Sequence, residues 1–85
     1  MNARAIADEL ASEVREFVLL PKGPDQAATF EALRDRLHPR ANVSRRKGRG
    51  YVYRITACGI TGVSKDGLGM ALNEWRRAAR AEGLL

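Results

Sequence analysis

Residues that build disulfide, metal and catalytic centres are nearly absent from this sequence. Its 85 residues include one cysteine, Cys58, and one histidine, His38. A single cysteine excludes an internal disulfide and a cysteine-only zinc site, and there is no second histidine or cysteine to complete a nucleophile–base pair. The small neighbours Ala57 and Gly59 indicate that Cys58 is a small buried residue. We therefore expect no enzyme, no catalytic residue, no metal and no cofactor.

Long hydrophobic runs are absent as well. No segment approaches the roughly 18 consecutive apolar residues that span a bilayer, and acidic residues such as Asp8 and Glu13 interrupt the region where a secretory signal would be apolar. At 45% hydrophobic and 29% charged residues, the composition is that of a folded protein. We therefore expect one small cytoplasmic domain over residues 1–85, with no membrane partner.

Acidic residues are missing from one part of the chain. Residues 1–39 carry five basic and seven acidic side chains, and residues 55–85 carry four basic and three acidic ones. Residues 40–54 carry six basic side chains and no acidic one, so the positive excess behind the net charge of +5 lies in this window. A local block of positive charge attracts polyanions, which include nucleic acids and acidic protein surfaces.

The spacing of apolar residues predicts two helices in the first half of the chain. The first extends from about residue 2 to 20, and its apolar side chains recur every three or four positions. They are Ile6, Leu10, Val14, Phe17 and Val18. Prolines and a glycine in residues 21–24 end this helix. The second helix is predicted from Asp25, as its N-cap, to Leu37, with Phe30 and Leu33 in its apolar stripe.

A β-hairpin is predicted next, followed by a third helix. Residues 51–57 are rich in aromatic and β-branched side chains, and residues 41–45 are expected to supply the partner strand. The last helix is predicted from Ser64, as its N-cap, to Glu82, with Trp75 as the largest core residue. The expected fold is a small, mostly helical α+β domain with two N-terminal helices, a basic hairpin and a long C-terminal helix.

The basic hairpin is the main candidate binding site. Arginine and lysine neutralise phosphate groups and release counterions, which produces a salt-sensitive affinity for nucleic acid. Tyr51 is expected either to stack on bases or to pack beneath the hairpin. Two further residues at the expected start of the last helix lie within reach of a groove or a phosphate. The candidate nucleic-acid-binding residues are Arg45, Arg46, Lys47, Arg49, Tyr51, Arg54, Ser64 and Lys65.

A further pattern spans residues 54–73. Cys58 occupies the position of a small residue in a first helix, Gly62 that of a turn, and Val63 that of the apolar residue after it. The matching second-helix anchors are Leu68, Ala71 and Leu72. This pattern resembles the helix-turn-helix signature of bacterial and phage repressors. The resemblance implies an all-helical fold as an alternative and a recognition helix in the major groove of DNA. The residues that it places toward the groove are Ser64, Lys65, Asp66, Gly69 and Met70.

Three functions are consistent with these patterns. The first is a small non-enzymatic DNA-binding protein, a regulator or accessory factor, with DNA preferred over RNA as the partner. A homodimer is compatible with it, because small modules gain affinity by pairing half-sites. The second is a phage- or plasmid-type interaction module or inhibitor that places the basic hairpin on an acidic partner protein. The third is an RNA-binding domain, because the order of helix, basic hairpin and helix is similar to the layout of double-stranded RNA-binding domains.

Overall fold

Three helices and a three-stranded sheet make up the structure, a computed structural model that describes residues 2–85. In chain order the elements are α1 (Ala3–Val18), α2 (Pro24–Leu37), β1 (Ala41–Lys47), β2 (Tyr51–Ala57), β3 (Ile60–Ser64) and α3 (Leu68–Ala81). The strands form one antiparallel sheet in the order β1–β2–β3, and the helices pack against one face of it. The predicted α+β class is therefore confirmed, and the all-helical alternative is wrong.

The two N-terminal helices form where the apolar spacing predicts them. Asn2 caps α1, because its Oδ1 accepts a hydrogen bond of 2.8 Å from the backbone N–H of Ala5. Asp25 is not the cap of α2: the N-cap residue is Gly23, and Pro24 takes the first helical position, where its missing N–H costs nothing. None of the helices within residues 2–85 combines the length and apolar character needed to span a bilayer.

The side chains of the sheet alternate between a buried and an exposed face. The buried face is turned to the helices and carries Ala41, Val43, Tyr53, Ile55 and Ala57. The large anchor beneath it is Trp75 of α3, which is fully buried and donates its indole N–H to the carbonyl oxygen of Ala57 at 3.1 Å. The predicted core role of Trp75 is therefore confirmed.

The segment expected as the first helix of a helix-turn-helix forms strands instead. Residues 54–57 belong to β2, and β3 pairs with it through contacts such as Ile55 opposite Gly62. Cys58 and Gly59 join the strands with φ angles of 55° and 74°, the positive-φ pattern of a two-residue hairpin turn. The helix-turn-helix expectation for residues 54–73 is therefore wrong, because the aromatic and β-branched residues of β2 favour a sheet. Cys58 is exposed, which corrects its expected burial.

The last helix begins three residues later than the sequence predicts, with its N-cap at Gly67 instead of Ser64. Ser64 ends β3 opposite Tyr53 and does not cap α3. Its Oγ accepts a hydrogen bond from the backbone N–H of Asp66 at 2.9 Å, which is a local turn rather than a helix cap. Lys65 lies in the loop after the strand, and α3 starts at Leu68 behind Gly67.

An aromatic cluster ties the helices to the base of the hairpin. Phe17 of α1, Phe30 of α2 and Tyr53 of β2 are buried, and their ring centroids lie 5.6–6.0 Å apart in edge-to-face geometry. Such pairs contribute about 0.5–1.5 kcal/mol beyond the area that they bury. The cluster fixes the position of the hairpin relative to α1 and α2.

Candidate nucleic-acid interface

The distal half of the β1–β2 hairpin carries most of the candidate residues, and we call residues 45–54 the basic ribbon. Its strands pair Arg45 with Tyr53, Arg46 with Val52 and Lys47 with Tyr51. The third strand does not reach these last two pairs, because its own pairing ends at Tyr53. The end of the ribbon is therefore two-stranded and extends beyond the rest of the sheet.

Strand alternation divides the basic side chains between the two faces of the ribbon. Arg46 and Arg54 lie on the outer face of the sheet, and both are exposed. With Ser44, Arg45 and Val52 they line a shallow depression of about 470 Å³. Arg45 and Lys47 lie on the helix side, the side of Tyr51 and Tyr53. The ribbon therefore presents positive charge in two directions.

Arg40 lies in the basic window but is neutralised. Its guanidinium forms a two-pronged hydrogen bond with the Glu9 carboxylate, at 2.9 Å from Nε and 2.7 Å from Nη2, and it also donates to the carbonyl oxygen of Arg36. The hydrogen bond raises the pKa of the Arg40 guanidinium and lowers the pKa of the Glu9 carboxyl. Glu13 holds Arg36 in the same way, at 2.7 Å. The acids of α1 therefore compensate the bases at the end of α2.

The bases of the ribbon have no such compensation. Within residues 2–85, salt bridges involve arginines at the end of α2, at the start of β1 and in α3, but no residue of the ribbon. Uncompensated arginines and lysines on an exposed hairpin raise the local electrostatic potential and attract polyanions. The uncompensated residues are Arg45, Arg46, Lys47, Arg49 and Arg54.

Arg45 is held in one orientation by two aromatic rings. Its Cζ atom lies 4.4 Å from the centroid of Phe30 and 4.2 Å from the centroid of Tyr51. The ammonium of Lys47 is also near the Tyr51 ring, at 5.9 Å from its centroid. A cation is attracted electrostatically to the face of an aromatic ring, and such contacts hold the side chain above the ring. In this structure Tyr51 therefore supports Arg45, and stacking of Tyr51 on bases stays a prediction.

A cleft separates the helix side of the ribbon from the loop between α1 and α2, and we call it the ribbon cleft. It encloses about 450 Å³. Its lining residues are Lys22, Gly23, Gln26, Ala27, Arg45, Lys47, Arg49, Gly50, Tyr51 and Tyr53. Lys22 is a member that the sequence analysis missed, because it lies far from the basic window in sequence. The only sequence signal for it is a lone base in a loop of prolines and glycine.

Ser64 pairs with Tyr53 of the ribbon, and Lys65 follows it in the loop before α3. Lys65 lines a cavity that adjoins the ribbon cleft and shares Lys22 and Tyr51 with it. Asp66 lines the same cavity and offsets the charge of Lys65. Lys65 is therefore brought to the edge of the site, whereas Ser64 is engaged in the turn with Asp66.

Metal-binding groups do not gather anywhere in the part of the chain that the structure describes. Within residues 2–85, no three side chains of His, Cys, Asp and Glu lie together in a way that would hold a metal ion. The functional assignment therefore depends on the basic ribbon and the ribbon cleft.

Comparison with known proteins gives no family for this chain. Neither a protein-family model, nor a curated protein, nor a solved structure matches it.

Proposed function

We propose that this chain is a non-enzymatic DNA-binding domain, a small regulator or accessory factor, that places the outer face of its basic ribbon in a groove of duplex DNA. The observation that carries the proposal is the set of five uncompensated bases on the basic ribbon, whose two-stranded end, with Arg46, Lys47 and Arg49, extends beyond β3. Arg46 and Arg54 contact the groove and its phosphates from the outer face, and Arg49 contacts a phosphate from the turn.

The electrostatic contribution supports binding to a polyanion. Each phosphate that a base neutralises releases counterions, so the logarithm of the binding constant falls with the logarithm of salt concentration by about 0.9 per phosphate contact. Two contacts from the outer face therefore contribute about 1.8 to this slope. Arg40 contributes nothing in this scheme, because Glu9 already compensates it.

The shape of the ribbon favours DNA over RNA. The major groove of B-DNA is roughly 12 Å wide and admits a two-stranded β-ribbon. The major groove of an A-form RNA helix is deep and too narrow for side chains to read. The two-stranded end of the ribbon, with Arg46 on its outer face, matches the first groove and not the second. We therefore expect random-sequence duplex DNA to bind more tightly than duplex RNA of the same length.

A double substitution on the outer face tests the proposal. The matched control removes two exposed arginines outside the ribbon, Arg4 and Arg80. Binding of random-sequence duplex DNA is measured by fluorescence anisotropy over a range of salt concentrations. We expect Arg46→Gln/Arg54→Gln to lower the salt slope by about two, and Arg4→Gln/Arg80→Gln to leave it unchanged. Equal slopes in both variants and the parent chain would show that the ribbon is not the contact surface.

Two other partners are outcomes of the same titration. The order of α2, three antiparallel strands and α3 supplies the layout on which the resemblance to double-stranded RNA-binding domains rests. Tighter binding of duplex RNA than of duplex DNA would favour that function. No binding of either nucleic acid at about 150 mM salt, where interactions beyond about 8 Å are screened, would favour an acidic protein as the partner of the ribbon.

A further inference from the structure

The ribbon cleft combines a fixed guanidinium with three flexible cations. We infer that it is a phosphate-binding site in which Arg45 supplies a fork of two N–H donors. The inference deepens the proposed function, since a phosphate of the bound nucleic acid is the expected occupant. It assigns a task to the helix side of the ribbon, whose charges the outer-face contact leaves unused.

The first argument is the fixed position of Arg45. The Cζ atom of Arg45 lies over the ring of Phe30 and over the ring of Tyr51, so two cation–π contacts hold the guanidinium in place. Among the residues that the structure describes, none accepts a hydrogen bond from this guanidinium. A planar pair of N–H donors held in place matches two oxygens of one phosphate.

The second argument is the charge of the cleft. Its lining includes Lys22, Arg45, Lys47 and Arg49, and the described residues that line it include no carboxylate. Like charges gathered in a cleft repel one another, and a bound anion relieves that repulsion. The cleft volume of about 450 Å³ is within the range of small-molecule sites and leaves room for a phosphate with an attached sugar.

The third argument is the helix that begins at the cleft. The N-cap residue of α2, Gly23, makes no side-chain cap hydrogen bond, and both Gly23 and Gln26 line the cleft. The N-terminal end of a helix carries a partial positive charge that favours anions nearby. This end of α2 adds to the potential that the four cations produce, and Asp25 in the first turn of α2 offsets part of that addition.

The test uses inorganic pyrophosphate as the probe and the full chain as the protein. Binding is followed by two-dimensional NMR, including the Arg Nε–Hε signals, together with thermal unfolding as a check on folding. The key variant is Arg45→Lys, which keeps the charge and the ring contacts but loses the fork. The matched control is Arg80→Lys, at an exposed position of α3 outside the ribbon. Lys22→Gln, at an exposed loop position, provides a second variant that leaves the core intact.

We expect pyrophosphate to shift the signals of Arg45 and of other cleft residues. Arg45→Lys is expected to weaken this binding by about tenfold, as the loss of a charge-assisted hydrogen bond does. Lys22→Gln is expected to weaken it severalfold, and Arg80→Lys to change it by less than about twofold. Equal effects of Arg45→Lys and Arg80→Lys, or no shift at the cleft, would overturn the phosphate site.

Two arms identify the source of the phosphate and separate this inference from the proposed function. Duplex DNA with and without a 5′-phosphate distinguishes a terminal phosphate from one within the backbone, and either result supports the site if Arg45→Lys weakens binding more than Arg80→Lys. Pyrophosphate binding without DNA binding would overturn the proposed function alone. DNA binding that both variants weaken equally would overturn the phosphate site alone.

Discussion

Gly62 of β3 lies against the backbone of Trp75 in α3: a Cβ atom on Gly62 would be 2.7 Å from the Cα atom of Trp75 and 2.5 Å from the carbonyl oxygen of Ala71. Gly62→Ala therefore forces the strand and the helix apart. Overpacking of this kind costs about 1–3 kcal/mol. We expect the free energy of unfolding, measured by urea denaturation, to fall by about 2 kcal/mol or more.

Gly69 provides the matched control for this prediction. A Cβ atom there would lie 3.8 Å from Cγ1 of Val18, which is ordinary contact, and Gly69 lies within α3. Gly69→Ala is expected to raise the free energy of unfolding by roughly 0.5–1 kcal/mol, because alanine favours the helix. If both substitutions changed stability equally, the close approach at Gly62 would not explain the effect.

Trp75→Phe is expected to destabilise the domain through one lost hydrogen bond and a smaller ring. The indole N–H of Trp75 is the buried donor to the carbonyl of Ala57. A buried acceptor left without a partner costs about 1–3 kcal/mol, and the space left by the indole adds to it. Urea denaturation followed by far-ultraviolet circular dichroism measures the loss. A change below about 0.5 kcal/mol would contradict the buried hydrogen bond.

Cys58→Asn is expected to stabilise the domain. Cys58 has φ of 55° in an exposed turn, and non-glycine residues in this region are strained unless their side chain tolerates it, as asparagine does. We expect the free energy of unfolding to rise by about 0.5–1 kcal/mol. Cys58→Val, with a β-branched side chain, should lower it. The reverse order of the two variants would contradict the turn geometry.

Glu9→Gln is expected to change how the free energy of unfolding depends on pH in the acidic range. Its hydrogen bond with Arg40 lowers the pKa of the Glu9 carboxyl below the ordinary value of 4.5. A lowered folded-state pKa contributes stability above the unfolded-state pKa, and that contribution is lost as pH falls through the folded-state value. The difference in unfolding free energy between the parent chain and Glu9→Gln should therefore be constant above about pH 5.5 and shrink below pH 4.5.

The control for Glu9→Gln is Glu31→Gln. Glu31 is exposed on α2 and forms no salt bridge with any residue between 2 and 85. Urea denaturation at intervals from pH 3 to pH 7 gives both curves. A Glu31→Gln curve that diverges from the parent chain as strongly as the Glu9→Gln curve would show that the Arg40 contact is not the cause.

Arg49→Gln and Arg40→Gln are expected to affect DNA binding differently, although both residues lie in the basic window. Arg49 is an uncompensated base at the turn of the ribbon, and Arg40 is bound to Glu9 at the other end of β1. Arg49→Gln should lower the salt slope by about one, and Arg40→Gln should leave it unchanged. Fluorescence anisotropy with duplex DNA measures both salt slopes. Equal slopes for the two variants would contradict the conclusion that Arg40 is neutralised while Arg49 is uncompensated.

The sequence predicts most of the fold because helical spacing and strand residues are explicit in it. The missing element is β3, and its absence from the prediction has a physical cause. The inward-facing position at the centre of that strand is Gly62, which is buried without any side chain. The alternation of apolar and polar side chains that marks a strand is therefore not visible in residues 60–64. For this reason the sequence predicts the start of α3 too early, at Ser64.

The candidate site could be predicted only in part for a related reason. A run of bases around a glycine turn is visible in the sequence, and it places Arg45 through Arg54 on one hairpin. The partners that define the ribbon cleft come from other elements: Lys22 from the α1–α2 loop and Phe30 from α2. Tertiary packing brings them together, and local sequence patterns carry no information on it. The same holds for Glu9, whose contact removes Arg40 from the site.

The pairing of Glu9 with Arg40 has a consequence for the way in which the molecule approaches a partner. Arg40 immediately precedes β1, and the ribbon turn follows β1, so the neutralised end and the charged end are separated by about 20 Å of strand. The two ends of β1 therefore differ in charge, and the positive end is the one at the ribbon turn. In the field of a polyanion such a molecule experiences a torque, which turns the ribbon toward the charge before any contact forms and raises the fraction of productive collisions.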